Sequence, residues 1–293
     1  METLLAEYSI AELAGALGLS QSGFQAHRHK KRRPRRRQDA ELRPLLEHAF
    51  VQSRRTYGSP RLRMELRELG YRCGKNRVAR LMREAGLRAR QKRRYRPRTT
   101  DSAHRHKIAH NWLSKVPAPQ APDQIWQSDI SYIETKEGWL YFAFTIDACS
   151  RKVVAHHCRE DLGAELATTT LQRALQRQQP LCGLIHHSDR GVQYAGSAFA
   201  QQLAEHRITA SMSRSGNPYD NALAESFVAT LKTECFESIP PTKRTARLMI
   251  FDYIETFYNP RRRHSALGYL SPRDFENLFP SNPQPLTKTP TIN

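Results

Sequence analysis

Three acidic residues carry the plainest chemical content of the sequence. They are Asp129 in Trp126-Gln127-Ser128-Asp129-Ile130-Ser131-Tyr132, Asp189 in His187-Ser188-Asp189-Arg190-Gly191-Val192-Gln193-Tyr194, and Glu225 in Gly216-Asn217-Pro218-Tyr219-Asp220-Asn221-Ala222-Leu223-Ala224-Glu225-Ser226-Phe227. Between Asp189 and Glu225 lie 35 residues. Carboxylates are hard oxygen ligands, and three of them converging from separate elements can hold a pair of divalent cations without filling every coordination position. The open positions would take a scissile phosphate and its attacking oxygen. Lys232 follows Glu225 by two helical turns on the same face, so its ammonium either meets a phosphate beside the metals or is a solvated surface charge. Asp220 is read first as a helix cap. Asp147, in a turn between strands, is read as structural rather than as a fourth ligand. His187 either orients a water or phosphate or is a buried histidine bonded to its neighbours.

For the acids to meet, the elements that bear them must be adjacent. β-rich runs are predicted over 124–133, 139–146 and 152–157, with Gly138 turning the first pair. A helix at 163–178, a short strand at 183–186, a helix at 197–206, a strand at 209–212 and a helix from Asn221 to Glu237 follow. The order βββαβαβα predicts a mixed sheet with helices on its faces, an α/β core. Asp129 then lies on the first strand, Asp189 just past the fourth, and Glu225 in the first turns of a late helix. Strands one and four have to be neighbours.

Upstream the texture is different. Residues 1 to 110 carry 28 Lys and Arg against 10 Asp and Glu, while residues 111 to 293 carry 19 against 18, so nearly all of the net +19 sits in the first third. Such charge drives counterion release from a nucleic-acid backbone. It would suit an acidic membrane too, but no amphipathic stretch with a broad aromatic face accompanies it, and no apolar run or signal-peptide pattern is present, so the expectation is a cytoplasmic protein on the nucleoid. Ser9-Ile10-Ala11-Glu12 reads as a capping box, Gly18 as its helix's end, and Ser20 as the cap of a second helix to His29; this is a helix-turn-helix or a plain helical hairpin. Lys30 to Arg37, seven basic residues broken by Pro34, is a solvated linker or a phosphate-binding arm. Helices over 40–55, 60–69 and 75–85 form a second unit, whose third helix turns Val78, Leu81, Met82 and Ala85 inward and Arg77, Arg80 and Arg83 elsewhere. It has the character of a recognition helix, or of a basic solvated face. The run holding Arg88, Arg90, Lys92, Arg93 and Arg94 around Tyr95 suits a DNA backbone or minor groove. His104, His106 and His110 lack a completing Cys or carboxylate cluster for a metal site. Cys73, Cys149, Cys158, Cys182 and Cys235 form no C-x-x-C pair and read as buried thiols. The boundaries expected are 1–37, 38–98, a linker at 99–121, a core at 122–240, a helix with the basic run Arg261-Arg262-Arg263-His264 at 241–280, and a disordered tail from Ser281.

Residues 124 to 275 resemble the catalytic core of insertion-sequence transposases of the retroviral-integrase-like type, in particular the second-reading-frame product of the two-frame bacterial family. The matching residues are Trp126-x-x-Asp129-Ile130-x-Tyr132, His187-Ser188-Asp189-x-Gly191-x-Gln193-Tyr194, Gly216-Asn217-x-x-Asp220-Asn221-Ala222-x-x-Glu225-Ser226, Lys232, and Tyr258-Asn259-x-x-Arg262-x-His264. Residues 40 to 90 look like the helical DNA-binding segment that usually precedes that core. The resemblance implies an RNase H-like fold, two Mg2+ ions replaceable by Mn2+, and Asp129, Asp189 and Glu225 as catalytic metal ligands. It also implies terminal inverted repeats in double-stranded DNA as substrate, a homodimer or higher oligomer on that DNA, and a first-reading-frame protein as a possible partner. It raises Arg261, Arg262 and Arg263 as phosphate contacts. Ser128 and Ser131 stand where the family often has Thr. The chain lacks the His-His-Cys-Cys zinc module of the retroviral enzymes, and no heptad run marks a leucine zipper. The rival classes are a DNA-binding regulator without catalysis, which has no use for the three acids, and an endonuclease of the same fold that cuts without joining.

Overall fold

A computed structural model of the chain describes residues 8–16, 18, 20–22, 25, 34–90, 108–214 and 218–279. It divides into two compact units, residues 1–89 and 90–293. Among the described residues no helix is long and apolar enough to cross a membrane.

The first unit is helical. Helix α1, Ile10–Ala16, opens on the expected capping box: the Ser9 amide donates to the Glu12 carboxylate at 2.8 Å and the Glu12 amide returns to Ser9 Oγ at 3.3 Å. Gly18, at φ +63°, follows its end. The helix predicted as far as His29 falls mostly outside the described residues. Helix α2 spans Pro34–Gln52, so the chain is helical from Pro34 and not only from Ala40; a proline suits a first turn, where its missing N–H costs no bond. Helices α3, Ser59–Glu68, and α4, Lys75–Glu84, pack on α2 through Leu42, Leu46, Leu62, Leu66, Val78 and Leu81, all buried.

The second unit is built on one five-stranded sheet. Its strands are β1 Ile125–Thr135, β2 Gly138–Asp147, β3 Val153–Arg159, β4 Ile185–Ser188 and β5 Thr209–Met212, in the order β3-β2-β1-β4-β5. Strands β1 to β3 are antiparallel, joined at the first turn by Gly138 at φ +99°, a conformation that suits glycine. The chain then crosses by helix α5, Ala164–Gln178, to lay β4 parallel to β1, pairing Trp126 with His186 and Gln127 with His187. Strands one and four are therefore neighbours, as the acids required. Helices α6, Val192–Ala195, and α7, Ser197–Glu205, lead to β5, parallel to β4. Helix α6 had no counterpart among the predicted elements, being too short to show a period.

The sheet is covered on both faces. Trp126, Leu171, Leu175, Tyr194, Phe199 and Leu203 form the core on the side of α5 to α7. Strand alternation turns Phe142 and Phe144 the other way, onto Phe227 of helix α8, Ala222–Glu234, at 6.5 and 4.6 Å between ring centroids. Helix α9, Lys243–Asp252, runs on as a π-helical turn, Tyr253–Tyr258, which sets Tyr258 against Phe227 at 4.9 Å, and the short helix α10, Pro272–Glu276, follows. Phe144→Ala is expected to lower the unfolding free energy by about 3–5 kcal/mol in urea titrations, whereas Leu248→Ala, at an exposed site on α9, should change it by less than about 0.5 kcal/mol.

Candidate active site

Each acid is held by local backbone chemistry. Asp129 Oδ1 accepts the Ile130 amide at 2.9 Å. Asp189, one residue beyond β4, folds its Oδ1 onto the Gly191 amide at 2.9 Å, and a Cβ on Gly191 would come to 3.0 Å of that same oxygen, which explains the Asp-x-Gly spacing. Glu225 projects, exposed, from the first turn of α8, where the helix N-terminus favours a negative charge. Asn221 occupies the N-cap position without capping; its Nδ2 reaches 3.4 Å to the Ser128 carbonyl, linking the start of the Glu225 helix to the residue before Asp129.

The electrostatics show that the three carboxylates share one neighbourhood. The Asp129 carboxyl is held well above the usual range, first by burial, then by the charge of Asp189 and further by that of Glu225, with the Ile130 amide and Lys232 opposing. Lys232 is pushed down by burial and held up by Asp129, so the lysine on the Glu225 face also looks onto the cluster. Burial and the charges of Asp129 and Asp189 raise the Tyr194 phenol, whose buried hydroxyl has no hydrogen-bond partner among the described residues. The Asn221 Oδ1 is likewise buried without one among the described residues. Among the described residues, no three His, Cys, Asp or Glu side chains form a ready-made metal-holding group. The donor set nevertheless fits a hard divalent cation: a buried carboxyl raised by the charges of two neighbouring carboxylates, with the Tyr194 and Asn221 oxygens beside them.

The residues around the acids serve structure. His187 is buried between Ser211 and Ser213, at 2.8 and 3.1 Å, which is the buried-histidine reading. Burial takes its pKa down to about 4, with Asp220 opposing. Asp147 is buried and accepts the amides of Asp123, Cys149 and Ser150 at 2.7 to 2.9 Å. Asp220 accepts the Arg214 amide and guanidinium at 2.8 to 3.0 Å and the Asn111 amide at 2.9 Å; its pKa falls to about 2, chiefly through Arg214. Beside it the Trp112 N–H donates to Ser211 Oγ at 3.0 Å, so residues 111–112 are stitched to Asp220 and to β5.

The basic residues divide. For Arg262 and Arg263 the structure corrects the expectation of a phosphate contact. Both are buried, Arg262 with its guanidinium on Glu234 and Arg263 bonded to the Tyr269 carbonyl at 3.0 Å, while Arg261 is exposed. Burying a guanidinium is tolerable only where its donors are satisfied within the protein, and these are then turned from solvent. Arg77 and Arg80 both pair with Asp39 of α2, and Arg80 also with Glu84, so they brace the helical unit. Arg88 is exposed; Arg90 donates to the Glu234 carbonyl at 2.9 Å and pairs with Glu237. Lys92, Arg93 and Arg94 lie outside the described residues. Of the five thiols, Cys235 is buried and Cys182 exposed.

Two integrase core domain models match residues 119–218 and 206–272, and an HTH-like domain model matches residues 36–95. The chain is 40% identical over 263 residues to the insertion element IS600 uncharacterized 31 kDa protein of Shigella sonnei, covering 89% of this chain and 96% of that protein. It is 38% identical over 275 residues to transposase InsF for insertion sequence IS3A of Escherichia coli strain K12, covering 93% and 95%. The chain belongs to the insertion-sequence transposases. The transposase is thus an enzyme acting on DNA, with an integrase core following a helical HTH-like region. It is also similar to a chain of the simian T-cell lymphotropic virus intasome solved with PP2A regulatory subunit B56 gamma, at 15% identity, a TM-score of 0.49, and 87% and 80% coverage.

Sequence reasoning overlooked Tyr194 and Glu234. Tyr194 lay inside a motif already quoted, but only burial beside two acids marks its hydroxyl. One consequence of the site's inner layer is measurable. His186, buried with Nε2 2.8 Å from Ser128 Oγ, has its pKa lowered from 6.5 to about 3, first by burial and then by His187. The unfolded chain therefore binds the extra proton between those values, so stability is full above about pH 6.5 and falls as the pH drops toward 3. The expected slope is at most about 1.4 kcal/mol per pH unit from this group, and His186→Gln should flatten it in urea unfolding series.

Proposed function

We propose that the transposase binds the terminal inverted repeats of an insertion sequence and performs cleavage and strand transfer at one site formed by Asp129, Asp189 and Glu225. The observation that carries this reading is that Asp129 and Asp189 are brought level by the β1–β4 pairing and that the charges of Asp189 and Glu225 both bear on the buried Asp129 carboxyl. Asp129 would present its oxygens from within β1, Asp189 from just past β4 and Glu225 from α8. Two Mg2+ ions, or Mn2+, are the cofactors proposed; when bound they would polarise the phosphate and stabilise charge on the entering and leaving oxygens.

In the first step water attacks the phosphodiester at an element end; the P–O bond to the 3′ oxygen breaks and that oxygen leaves as a 3′-OH. In the second, the 3′-OH attacks another phosphodiester in line, forming one P–O bond and breaking one. No protein nucleophile is required. Lys232, near the Asp129 charge, would meet a phosphate oxygen, and Arg88 with Lys92, Arg93 and Arg94 would grip the backbone further out. Joining two ends in one event calls for at least two copies on DNA. A first-reading-frame protein as partner stays with the family resemblance.

Asp129→Asn, Asp189→Asn and Glu225→Gln should each abolish cleavage and joining of a labelled end duplex while leaving its binding within about twofold. Wild-type cleavage by any of the three would remove that residue from the site. Cleavage without joining by the unaltered protein would favour the endonuclease reading. Replacing Arg88, Lys92, Arg93 and Arg94 with Gln should weaken binding to all duplexes alike and reduce the slope of log K against log salt by about 0.9 for each phosphate no longer neutralised, read from fluorescence titrations. An unchanged slope would exclude the arm as a backbone contact.

A further inference from the structure

Helix α8 presents two stripes. Glu225 and Lys232, seven positions apart, lie on the face toward the acids; Phe227 and Glu234, also seven apart, lie on the inner face. The inner stripe is apolar at Phe227 and Leu231 but ends in a buried carboxylate, with Glu234 8% exposed. Arg262, 5% exposed, meets it with two donors: Nε to Oε2 at 2.7 Å and Nη2 to Oε1 at 2.6 Å. The Tyr253 hydroxyl donates to Oε2 at 2.7 Å. The segment that supplies Arg262 is itself fixed, because Asn259 exchanges two bonds with the backbone of Val153 at the head of β3, at 2.9 and 3.0 Å.

This arrangement costs more than an apolar one. A buried ion pair must recover the desolvation of both charges, and hydrophobic replacements of similar volume are often as stable or more so. What an Arg–carboxylate fork supplies is direction: two parallel bonds tolerate far less rotation than a ring sliding on rings. At the other end of α8, Asn221 reaches the Ser128 carbonyl in the sheet by a long bond of 3.4 Å, which holds loosely. We propose that the Arg262–Glu234 fork, braced by Tyr253, is a positioning device that sets the rotation of α8 and thereby the placement of Glu225 and Lys232 over Asp129 and Asp189. Arg262 thus acts through Glu234, not on DNA. This inference rests on the proposed role of Glu225.

The test replaces the pair by an apolar one, Glu234→Leu with Arg262→Met, beside Glu225→Gln as a control, in the full chain. Three quantities are read: urea stability, affinity for an end duplex, and single-turnover cleavage as a function of Mn2+ concentration. The double variant is expected to be as stable as the unaltered protein and to bind the end duplex within about twofold. It should cleave about tenfold or more slowly and require more Mn2+ for half-maximal rate, as a displaced carboxylate would dictate. Wild-type cleavage and Mn2+ dependence in the double variant would overturn the proposal. Should it fail to fold, Arg262→Lys, which keeps the charge and loses the fork, is judged by the same rate and Mn2+ dependence. Loss of folding in both would assign the pair to stability alone and overturn the proposal too. If Glu225→Gln cleaves normally, the site assignment itself fails; if it is dead while the double variant is normal, only this inference does.

Discussion

The parallel pairing of β1 with β4 is the constraint from which the rest follows. It sets Trp126 against His186 and Gln127 against His187, so Asp129, within β1, comes level with Asp189, one residue past the end of β4. Like charges so placed repel, and burial sharpens the repulsion. A fold keeps such a cluster only if its surroundings are rigid enough to prevent the acids from swinging apart. Here that rigidity comes from layered bonding. Ser128 is held between Thr145 and His186 at 2.8 Å each, His187 is pinned by two serines, and Asp189 is closed onto Gly191.

The division of labour between the faces of the sheet follows from alternation. Ser128 and Trp126 turn toward α5 to α7, where the network is polar around His186 and apolar around Trp126. The opposite face receives the aromatic side of α8, with Phe227 wedged among Phe142, Phe144 and Tyr258. The helix bearing Glu225 is therefore seated by its inner side, and its outer side is left for chemistry.

Much of this was legible in the sequence because it is written in short periods. The β-rich runs of β1 to β3 and the capping box at Ser9 each involve residues within a few positions of one another, and the adjacency of the first and fourth strands followed from where the acids had to go. What stayed hidden depends on partners far apart in the chain. Arg262 and Glu234 lie 28 positions apart, and a run of three arginines after a proline gives no sign that the middle one is buried against a carboxylate. The same holds for Arg77 and Arg80, which lie on the polar side of an amphipathic helix as expected, yet spend their charge on Asp39 of a different helix. Helix α6 and the Tyr194 hydroxyl were hidden for the opposite reason: four residues are too few for periodicity, and a tyrosine in a motif does not disclose what its oxygen lacks.

The stitching of residues 111–112 bears on where the catalytic unit begins. Similarity to the integrase core starts at residue 119, but the Asp220 carboxylate and the Ser211 hydroxyl draw their bonds from Asn111 and Trp112. A fragment cut at the point where resemblance starts would strip one donor from the anchor in front of the Glu225 helix and another from the edge strand. The bonds that hold this part of the chain thus reach several residues upstream of the stretch that resembles the integrase core.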